Sequence, residues 1–214
     1  MVRCIECEAD VVEGLDALRA LDPLLGPAID AVDVVPMRRS TSDFAGLARI
    51  VIAQQVSVAS AKAITERTVS VLGPLAADRF ATASDEDLKN CGLSRPKQRT
   101  LRAIADALPD DAAFVSLNSQ AVEAVEAQLV AIHGVGPWTA QIYLTFCLGH
   151  ADTMPAGDLA LQKAAAWALG QTEKLSADDL AERAEAWSPW RGVAARLLWS
   201  YYEVANDGRS GIAV

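Results

Sequence analysis

The sequence has 214 residues, of which 51% are hydrophobic and 22% are charged, and its net charge is −9. This composition excludes an intrinsically disordered chain and predicts one domain, or two closely packed halves, with a substantial core. The acidic balance also argues against a protein that binds nucleic acid through bulk electrostatic attraction.

The chain shows no sign of a membrane or export segment. No apolar run approaches the roughly 18 residues that a membrane-spanning helix needs. Residues 1–8 lack the basic and then apolar pattern of a signal peptide. We therefore expect a cytoplasmic protein.

Four cysteines are present, and two of them, Cys4 and Cys7, are separated by two residues. This spacing suggests half of a zinc site or a redox pair. Because a second such pair and a nearby pair of histidines are both missing from the sequence, local motifs cannot supply four zinc ligands. The role of Cys4 and Cys7 stays open.

Capping residues, glycines and prolines divide the chain into helices joined by short loops. The helices predicted from apolar spacing span residues 10–20, 44–56, 58–72, 95–108, 159–169, 177–187 and 193–204. Their predicted N-terminal caps are Asp10, Ser42 or Asp43, Ser57, Ser94, Asp158 and Ser176. No stretch sustains the alternation of apolar and polar residues that a strand requires, so the fold is predicted to be all-α.

Three further segments are interpreted from their composition. Residues 21–39 contain three prolines and are predicted as a loop with at most one helical turn. Residues 84–88 are rich in acidic side chains, which favour a helix start because they interact well with the helix dipole. Residues 206–214 are predicted as a loose tail.

Residues 122–148 are predicted to form two helices joined by a tight turn. Apolar residues recur at helical spacing before the turn, and Asn118 or Ser119 is predicted to cap the first helix. The second helix is predicted to run from Pro137 to Leu148, since proline suits the first turn of a helix.

The turn between these two helices is a candidate anion site. Gly134 and Gly136 allow positive φ angles and a close approach of the backbone to a ligand. With the start of the following helix, they direct N–H groups at one point, which suits a phosphate of DNA. The alternative is that the two glycines only close a helical hairpin, and the turn alone leaves both interpretations open.

Gln54 and Gln55 lie at the junction of two predicted helices. Adjacent amides at the end of an apolar helix need hydrogen-bond partners, which places them at a surface or in a polar pocket. Taken alone, the pair is typical of ordinary helix capping.

One short segment is strongly basic although the chain is acidic. Residues 89–102 contain no acidic side chain and five basic ones, namely Lys89, Arg95, Lys97, Arg99 and Arg102. Such a face is compatible with DNA lying nearby, and equally with a solvated surface helix. DNA binding by this chain is expected to be weak and sensitive to salt.

The sequence His133-Gly-Val-Gly-Pro-Trp-Thr-Ala140 is followed by Asp158, twenty residues after Trp138. In this pattern the chain resembles the helix-hairpin-helix DNA glycosylase superfamily, and within it the 3-methyladenine DNA glycosylase II (alkylbase glycosylase) branch, from about Phe44 to Tyr202. The resemblance implies a two-lobed helical fold without the N-terminal β domain of larger relatives. One lobe would comprise residues 43–150 with the hairpin at about 122–148, the other residues 1–42 and 151–214, and the active site would lie in the cleft between them.

The resemblance also implies roles for particular residues. Asp158 matches the catalytic carboxylate, although as a helix cap it would also be unremarkable. Trp138 and Trp199 match aromatic positions of the base pocket, Phe44 is a weaker pocket candidate, and Trp187 and Trp190 are interpreted as core. Gln55, with Gln54 beside it, matches the wedge that fills the gap left by an extruded base.

The hairpin itself would bind the DNA backbone. Gly134, Gly136 and Thr139 would hold a phosphate through their N–H groups, and His133 would contact DNA or stay at the surface. The carbonyl oxygens of Val130, Ile132 and Val135 align with those that bind a monovalent cation, Na⁺ or K⁺, in related hairpins. The resemblance implies no other cofactor.

Trp138 indicates which reaction to expect. Bifunctional members of the superfamily have a lysine at this position, which attacks the sugar and leads to strand cleavage, and an indole cannot do so. We therefore expect a monofunctional enzyme that removes alkylated bases from double-stranded DNA and leaves an abasic site. The protein is also expected to be a monomer and to associate with the nucleoid when it is bound to DNA. The alternatives are a non-catalytic hairpin DNA-binding protein and a glycosylase for other lesions, among them 7-methylguanine, hypoxanthine and 1-methyladenine.

Overall fold

The computed structural model describes residues 3–206, and within this range the chain is helical without any strand. The α-helices are α1 Glu8–Leu21, α2 Gly26–Ala31, α3 Phe44–Ala53, α4 Val58–Leu72, α5 Ala77–Thr82, α6 Asp85–Asn90, α7 Arg95–Ala107, α8 Asp111–Leu117, α9 Val122–Val130, α10 Pro137–Tyr143, α11 Leu159–Ala168, α12 Ala177–Ala184 and α13 Arg191–Ala205. Single turns of 3₁₀ helix at Pro23–Leu25 and Glu185–Trp187 and a π-helical segment at Leu144–Leu148 complete the regular structure. The predicted all-α class is confirmed.

The described residues form two compact units. The first contains residues 3–39 and 149–206, and the second contains residues 40–148. In the first unit α13 packs against α11, α1 and α2. In the second unit α3 packs against α4, α7 and α10, while α9 lies against α10. Helices α13 and α3 are therefore the centres of the two cores.

The core of the first unit is built on an almost wholly buried helix. Every residue of α13 from Gly192 to Ser200 is buried, as are Trp187 and Trp190 just before it. Their predicted place in the core is confirmed. Arg196 lies inside this core and donates hydrogen bonds to the carbonyl oxygens of Met37 and Gly192, both at 2.9 Å. Burial lowers the pKa of its guanidinium to about 10, because the charged form loses its hydration.

The core of the second unit is built on the apolar helix α3. Seven of its ten residues are buried. Asp43, one of the two predicted caps, precedes the helix and accepts a hydrogen bond from the N–H of Gly46 at 2.9 Å. Ser57 and Ser84 likewise cap α4 and α6 through their side chains. These helix starts agree with the sequence, because a cap is a local bond between neighbouring residues.

The proline-rich segment before α3 holds more helix than predicted. Residues 21–39 were expected to contain at most one helical turn, yet they include the 3₁₀ turn Pro23–Leu25 and all of α2. Each of these two elements carries a proline in its first two positions, where the missing N–H costs nothing. Pro23 and Pro27 therefore begin helices here, whereas Pro36 lies outside any helix.

Two predicted caps were placed wrongly. Helix α1 starts earlier than predicted, because Cys7 is its N-cap and Asp10 takes the third helical position, from which its carboxylate accepts the Cys7 N–H at 3.0 Å. Helix α9 begins after Ala121, not after Asn118 or Ser119. The unpredicted helix α8 ends immediately before Asn118, so that this residue closes one helix and does not start the next.

Some predictions concern absences or residues outside the described range. No helix within residues 3–206 is long and apolar enough to cross a bilayer. Over the same range, no cluster of three or more histidine, cysteine or acidic side chains could hold a metal ion, and Cys4 and Cys7 are both free thiols. The predicted tail at 206–214 lies outside the described residues except for Asn206, which ends α13.

Candidate functional site

Asp158 stands at the start of α11, where a buried loop enters the helix. Its Oδ1 accepts hydrogen bonds from the N–H groups of Ala160 and Leu161, at 2.9 and 3.1 Å. The same oxygen accepts a third bond, at 3.3 Å, from the indole Nε1–H of Trp199. Three donors from two helices therefore fix the orientation of this half-buried carboxylate.

The loop before Asp158 is itself fixed by hydrogen bonds. The N–H of Asp158 donates to the carbonyl oxygen of Pro155 at 2.9 Å, and Ala156 N–H donates to Met154 at 2.9 Å. Gln162, from the first turn of α11, donates through its side-chain amide to the carbonyl oxygen of Ala156 at 2.9 Å. The carboxylate is thus carried by a constrained backbone.

Trp199 lies in the core of the first unit, with only 1% of its surface exposed. It is one of two predicted pocket tryptophans, and the structure brings it directly to the predicted catalytic carboxylate. Its indole N–H is the atom that reaches Asp158. The ring itself packs within the buried face of α13.

Asp152 and Arg191 form an ion pair in the first unit that the sequence did not reveal. Arg191 Nε donates to Asp152 Oδ1 at 2.8 Å and Nη2 to Oδ2 at 2.9 Å, while the Ser188 hydroxyl donates to Oδ2 at 2.8 Å. Burial alone would raise the pKa of Asp152, but the hydrogen bonds from Arg191 and Ser188 hold it below its ordinary value. The pair connects the segment that leads to Asp158 with the start of α13, which carries Trp199.

The hairpin in the second unit comprises α9, a turn and α10. Gly134 has a φ of +82°, whereas Gly136 has a φ of −94° that any residue can adopt. A Cβ atom at Gly134 would collide with the Thr100 hydroxyl of α7, but one at Gly136 would meet open space. The prediction that positive φ requires glycine therefore applies to Gly134 alone.

Backbone hydrogen bonds close this turn tightly. Val135 N–H donates to the Ile132 carbonyl oxygen at 3.0 Å, and Ile132 N–H donates to Leu129 at 3.1 Å. Ile132 and Val135 are buried, whereas Val130 is 38% exposed. His133 and Gly134 are exposed at the tip. The tip therefore presents backbone to solvent while the apolar side chains beside it anchor the turn.

Trp138 and Thr139 occupy the first turn of α10. Trp138 is half-buried, and Thr139 is buried with 2% of its surface exposed. The Thr139 hydroxyl accepts a hydrogen bond from Gln54 Nε2 at 2.7 Å. The structure thereby joins the predicted phosphate-binding hairpin to the predicted wedge segment, which lies 85 residues away in the sequence.

The two glutamines of that wedge segment differ in their surroundings. Gln54 ends α3 through its backbone and is half-buried, while Gln55 is exposed. Gln55 has a φ of +55°, a left-handed conformation that is uncommon for residues other than glycine. The Gln54 amide binds Thr139 and so does more than cap a helix.

The basic segment is divided between internal and external roles. Lys97 donates to two backbone carbonyl oxygens, and Arg102 binds Asp85 and the carbonyl oxygen of Ala83. Arg95 and Arg99 are exposed and form no ion pair with any described residue. Two of the five cations are therefore committed to contacts within the second unit.

Phe44, the weaker pocket candidate, is buried at the start of α3. Its ring lies 5.2 Å from that of Phe80, tilted by 42°. It also lines a cavity of about 270 Å³ whose other lining residues include the four carboxylates Asp43, Asp78, Asp110 and Asp111. Its surroundings within the second unit are thus aromatic on one side and acidic on the other.

These features define an all-α protein with a helix-hairpin-helix turn and a fixed carboxylate at a helix start. The family model of the HhH-GPD superfamily of base excision DNA repair proteins matches residues 48–190, and the chain belongs to this superfamily. The resemblance that the hairpin motif and Asp158 suggested is confirmed at this level.

Individual relatives agree with this assignment. The chain is 30% identical, over 94% of its length, to a Mycobacterium tuberculosis protein named "probable bifunctional transcriptional activator/DNA repair enzyme AlkA", of which it covers 42%. It is 28% identical to DNA-3-methyladenine glycosidase of Bacillus halodurans, whose crystal structure it matches with a TM-score of 0.77 over 92% of this chain and 93% of that one. Schizosaccharomyces pombe 3-methyladenine DNA glycosylase, solved with abasic DNA, matches in fold with a TM-score of 0.76 at 24% identity, over 89% and 95% of the two chains. The chain thus spans less than half the length of its mycobacterial relative.

Proposed function

We propose that this protein is a monofunctional DNA glycosylase that hydrolyses the N-glycosidic bond of alkylated purines of the 3-methyladenine type, in base excision repair. The observation that supports this most is the Asp158 carboxylate, held by two helix N–H groups and by the Trp199 indole. The family membership and the relatives named as 3-methyladenine glycosylases support the same reaction.

The carboxylate suits the charge that this reaction develops. As the base departs, positive charge builds up on the deoxyribose, and a fixed carboxylate beside that sugar stabilises it and orients the attacking water. Because Asp158 is already positioned by three donors, little reorganisation is needed during the reaction. Preorganised groups of this kind contribute roughly 3–4 kcal/mol to lowering a barrier.

The half-buried Trp138 is proposed to present its indole face to the extruded base, and the buried Trp199 and Phe44 are proposed to support the walls of the base pocket. A purine alkylated at N3 or N7 is cationic, so an indole face attracts it by roughly 0.5–2 kcal/mol. Such a base is also a good leaving group without prior protonation, so the lability of its bond adds to selectivity. Extrusion costs a few kcal/mol of stacking, and Gln55, supported by Gln54, is proposed to fill the gap in the duplex.

The hairpin is proposed to grip the phosphate beside the lesion. The N–H groups of Gly134, Gly136 and Thr139 are the proposed donors, and the exposed His133 lies at the same tip. A monovalent cation on the carbonyl oxygens of Val130, Ile132 and Val135 would add positive charge there, and backbone carbonyl oxygens can replace the hydration shell of an ion such as K⁺. Monovalent-cation dependence of DNA affinity at constant ionic strength would test this part.

The reaction is tested by incubating the purified chain with methylated double-stranded DNA and identifying the released bases by chromatography. We expect free 3-methyladenine and an intact strand that breaks only on alkaline treatment of the abasic site. Binding without release would instead identify a non-catalytic hairpin protein. A covalent DNA adduct trapped by borohydride would contradict the monofunctional mechanism, because it requires an amine nucleophile.

A further inference from the structure

The end of α3 is held by a lysine from a distant part of the chain. Lys97, on α7, donates from Nζ to the carbonyl oxygens of Ile52 and Gln54, both at 2.8 Å. The last carbonyl groups of a helix have no partners within the helix and carry partial negative charge, so a cation there is favourable. The Lys97 side chain is half-buried, and this burial lowers the pKa of its ammonium because the charged form loses part of its hydration.

A second contact holds the same turn from another direction. The side-chain amide of Gln54 donates to the Thr139 hydroxyl at 2.7 Å, and Thr139 belongs to the first turn of the hairpin helix α10. The Gln54 backbone is therefore bound to α7 and its side chain to α10. Gln55 follows directly, in the left-handed conformation with a φ of +55° and with its side chain exposed. A strained backbone of this kind persists only where its surroundings hold it.

Helix α7 also supports the hairpin turn. Thr100 stands three residues after Lys97, on the same face of the helix, and its hydroxyl occupies the space next to Gly134. One helix face thus contacts both segments that are proposed to meet DNA. Arg95 and Arg99 lie on the exposed side of α7 and contact neither segment through any hydrogen bond within residues 3–206.

We propose that Lys97 is a positioning residue, which keeps Gln55 in the geometry needed to enter the duplex when the damaged base is extruded. This inference rests on the proposed glycosylase function and assigns Lys97 to base extrusion, not to phosphate binding or to bond cleavage. Two of its three N–H donors are already used by the carbonyl oxygens of the turn. Removing the ammonium would release the turn and let Gln55 relax from its left-handed conformation.

The experiment separates extrusion from cleavage. A duplex with 2-aminopurine beside a stable abasic-site analogue reports insertion of the wedge as increased fluorescence, and it requires no chemistry. Lys97→Met is expected to bind this duplex within about threefold of the wild-type affinity, but with less than half of the fluorescence increase. Single-turnover release of 3-methyladenine from methylated DNA should fall more than tenfold in a duplex and less than twofold in single-stranded DNA, where no gap has to be filled.

Arg99→Met is the matched control, because it removes one positive charge from the exposed side of the same helix. It is expected to weaken binding to both substrates equally and to leave the fluorescence amplitude at saturation unchanged. Thr139→Val, which is close to isosteric, removes the second anchor of the turn and is expected to reduce the fluorescence in the same way. If Lys97→Met does not fold, the Thr139→Val variant still tests the proposal.

Three results would overturn the proposal. They are an unchanged fluorescence amplitude in both Lys97→Met and Thr139→Val, an equal loss of excision on duplex and single strand, and an effect of Arg99→Met as large as that of Lys97→Met. Failure of the proposed function would look different. The wild-type chain would then release no base from either substrate, whereas the fluorescence assay would still show whether Lys97 controls insertion.

Discussion

The carboxylate of Asp158 combines a structural and a proposed catalytic role in the same side chain. Its Oδ1 completes the start of α11 by accepting two backbone N–H groups, and it also accepts the Trp199 indole N–H. An N-cap alone contributes about 1 kcal/mol to stability, and asparagine serves as a cap as well as aspartate does. Asparagine at this position can therefore keep the local structure while it removes the charge.

This distinction gives a test at the scale of one residue. Asp158→Asn is expected to excise methylated bases at a few thousandths of the wild-type rate or less, because the neutral amide cannot stabilise the positive sugar. Its affinity for a duplex with an abasic-site analogue should stay within about threefold of the wild type. Single-turnover base release and a binding titration measure the two quantities. Near-normal excision by this variant would remove Asp158 from the catalytic role.

At the scale of secondary structure, the helix starts at Asp43 and Ser57 could be predicted, whereas the local caps Cys7 at α1 and Asp110 at α8 were missed. Asp43 and Ser57 cap helices through bonds that span three residues, so the sequence contains the whole signal. Helices α5 and α8 have six and seven residues and are anchored by the buried rings of Phe80 and Phe114. Short helices of this kind are stabilised by tertiary packing more than by local propensity.

In the candidate site, too, some residues could be proposed from the sequence, whereas contacts between distant parts of the chain could not. Asp158 could be proposed because the resemblance to the glycosylase superfamily implies a catalytic carboxylate at this position, twenty residues after Trp138. The contact of Lys97 with the Ile52 carbonyl oxygen spans 45 residues, and that of Trp199 with Asp158 spans 41. No local pattern indicates such pairs. The basic segment was accordingly interpreted by its charge alone, whereas the structure uses Lys97 as an internal donor.

The two glycines of the hairpin turn provide a test at the scale of this element. Gly134→Ala is expected to lower the free energy of unfolding by about 1–3 kcal/mol, because it combines a positive φ with a collision against Thr100. Gly136→Ala should cost less than about 1 kcal/mol, since its φ is ordinary and its surroundings are open. Urea denaturation measures both losses.

Thr100→Ala offers an internal control for this comparison. It removes the hydroxyl from the space next to Gly134, so that Gly134→Ala should cost less in that background, although the backbone strain remains. Equal losses from the two glycines in the wild-type background would show that the close approach of α7 to the turn does not determine the stability of the hairpin.

For the whole molecule, the acidic net charge of −9 limits how DNA can be bound. Lys97 and Arg102 are committed to internal contacts, which leaves Lys89, Arg95 and Arg99 as the exposed cations of the basic segment. Backbone N–H groups at the hairpin tip attract a phosphate without any charged side chain. An acidic chain can therefore grip one phosphate locally while it gains little from long-range attraction.

The stability of the molecule in acid should depend on Asp152, which joins the segment leading to Asp158 with the start of α13. Its pKa in the folded state lies below the ordinary value, which is about 3.9 in an unfolded chain. Its contribution to stability is therefore complete above that pH and is lost as the pH falls through the folded pKa. We expect Asp152→Asn to lower the free energy of unfolding at pH 7 by about 2 kcal/mol, because charge-assisted hydrogen bonds are removed. The difference between variant and wild type should shrink below about pH 4.

Glu185→Gln is the control for this prediction, because it removes the other carboxylate that binds Arg191, at 2.8 Å, from an exposed position. Exposed ion pairs contribute about 1 kcal/mol or less, so this variant should differ little from the wild type at any pH. Urea denaturation followed by tryptophan fluorescence measures both variants. The titration should run from about pH 3 to about pH 7, because the ordinary pKa of an aspartate is about 3.9. If Asp152→Asn and Glu185→Gln lost the same stability, or if the loss from Asp152→Asn did not change with pH, the half-buried pair would not anchor the segment that carries the proposed catalytic carboxylate.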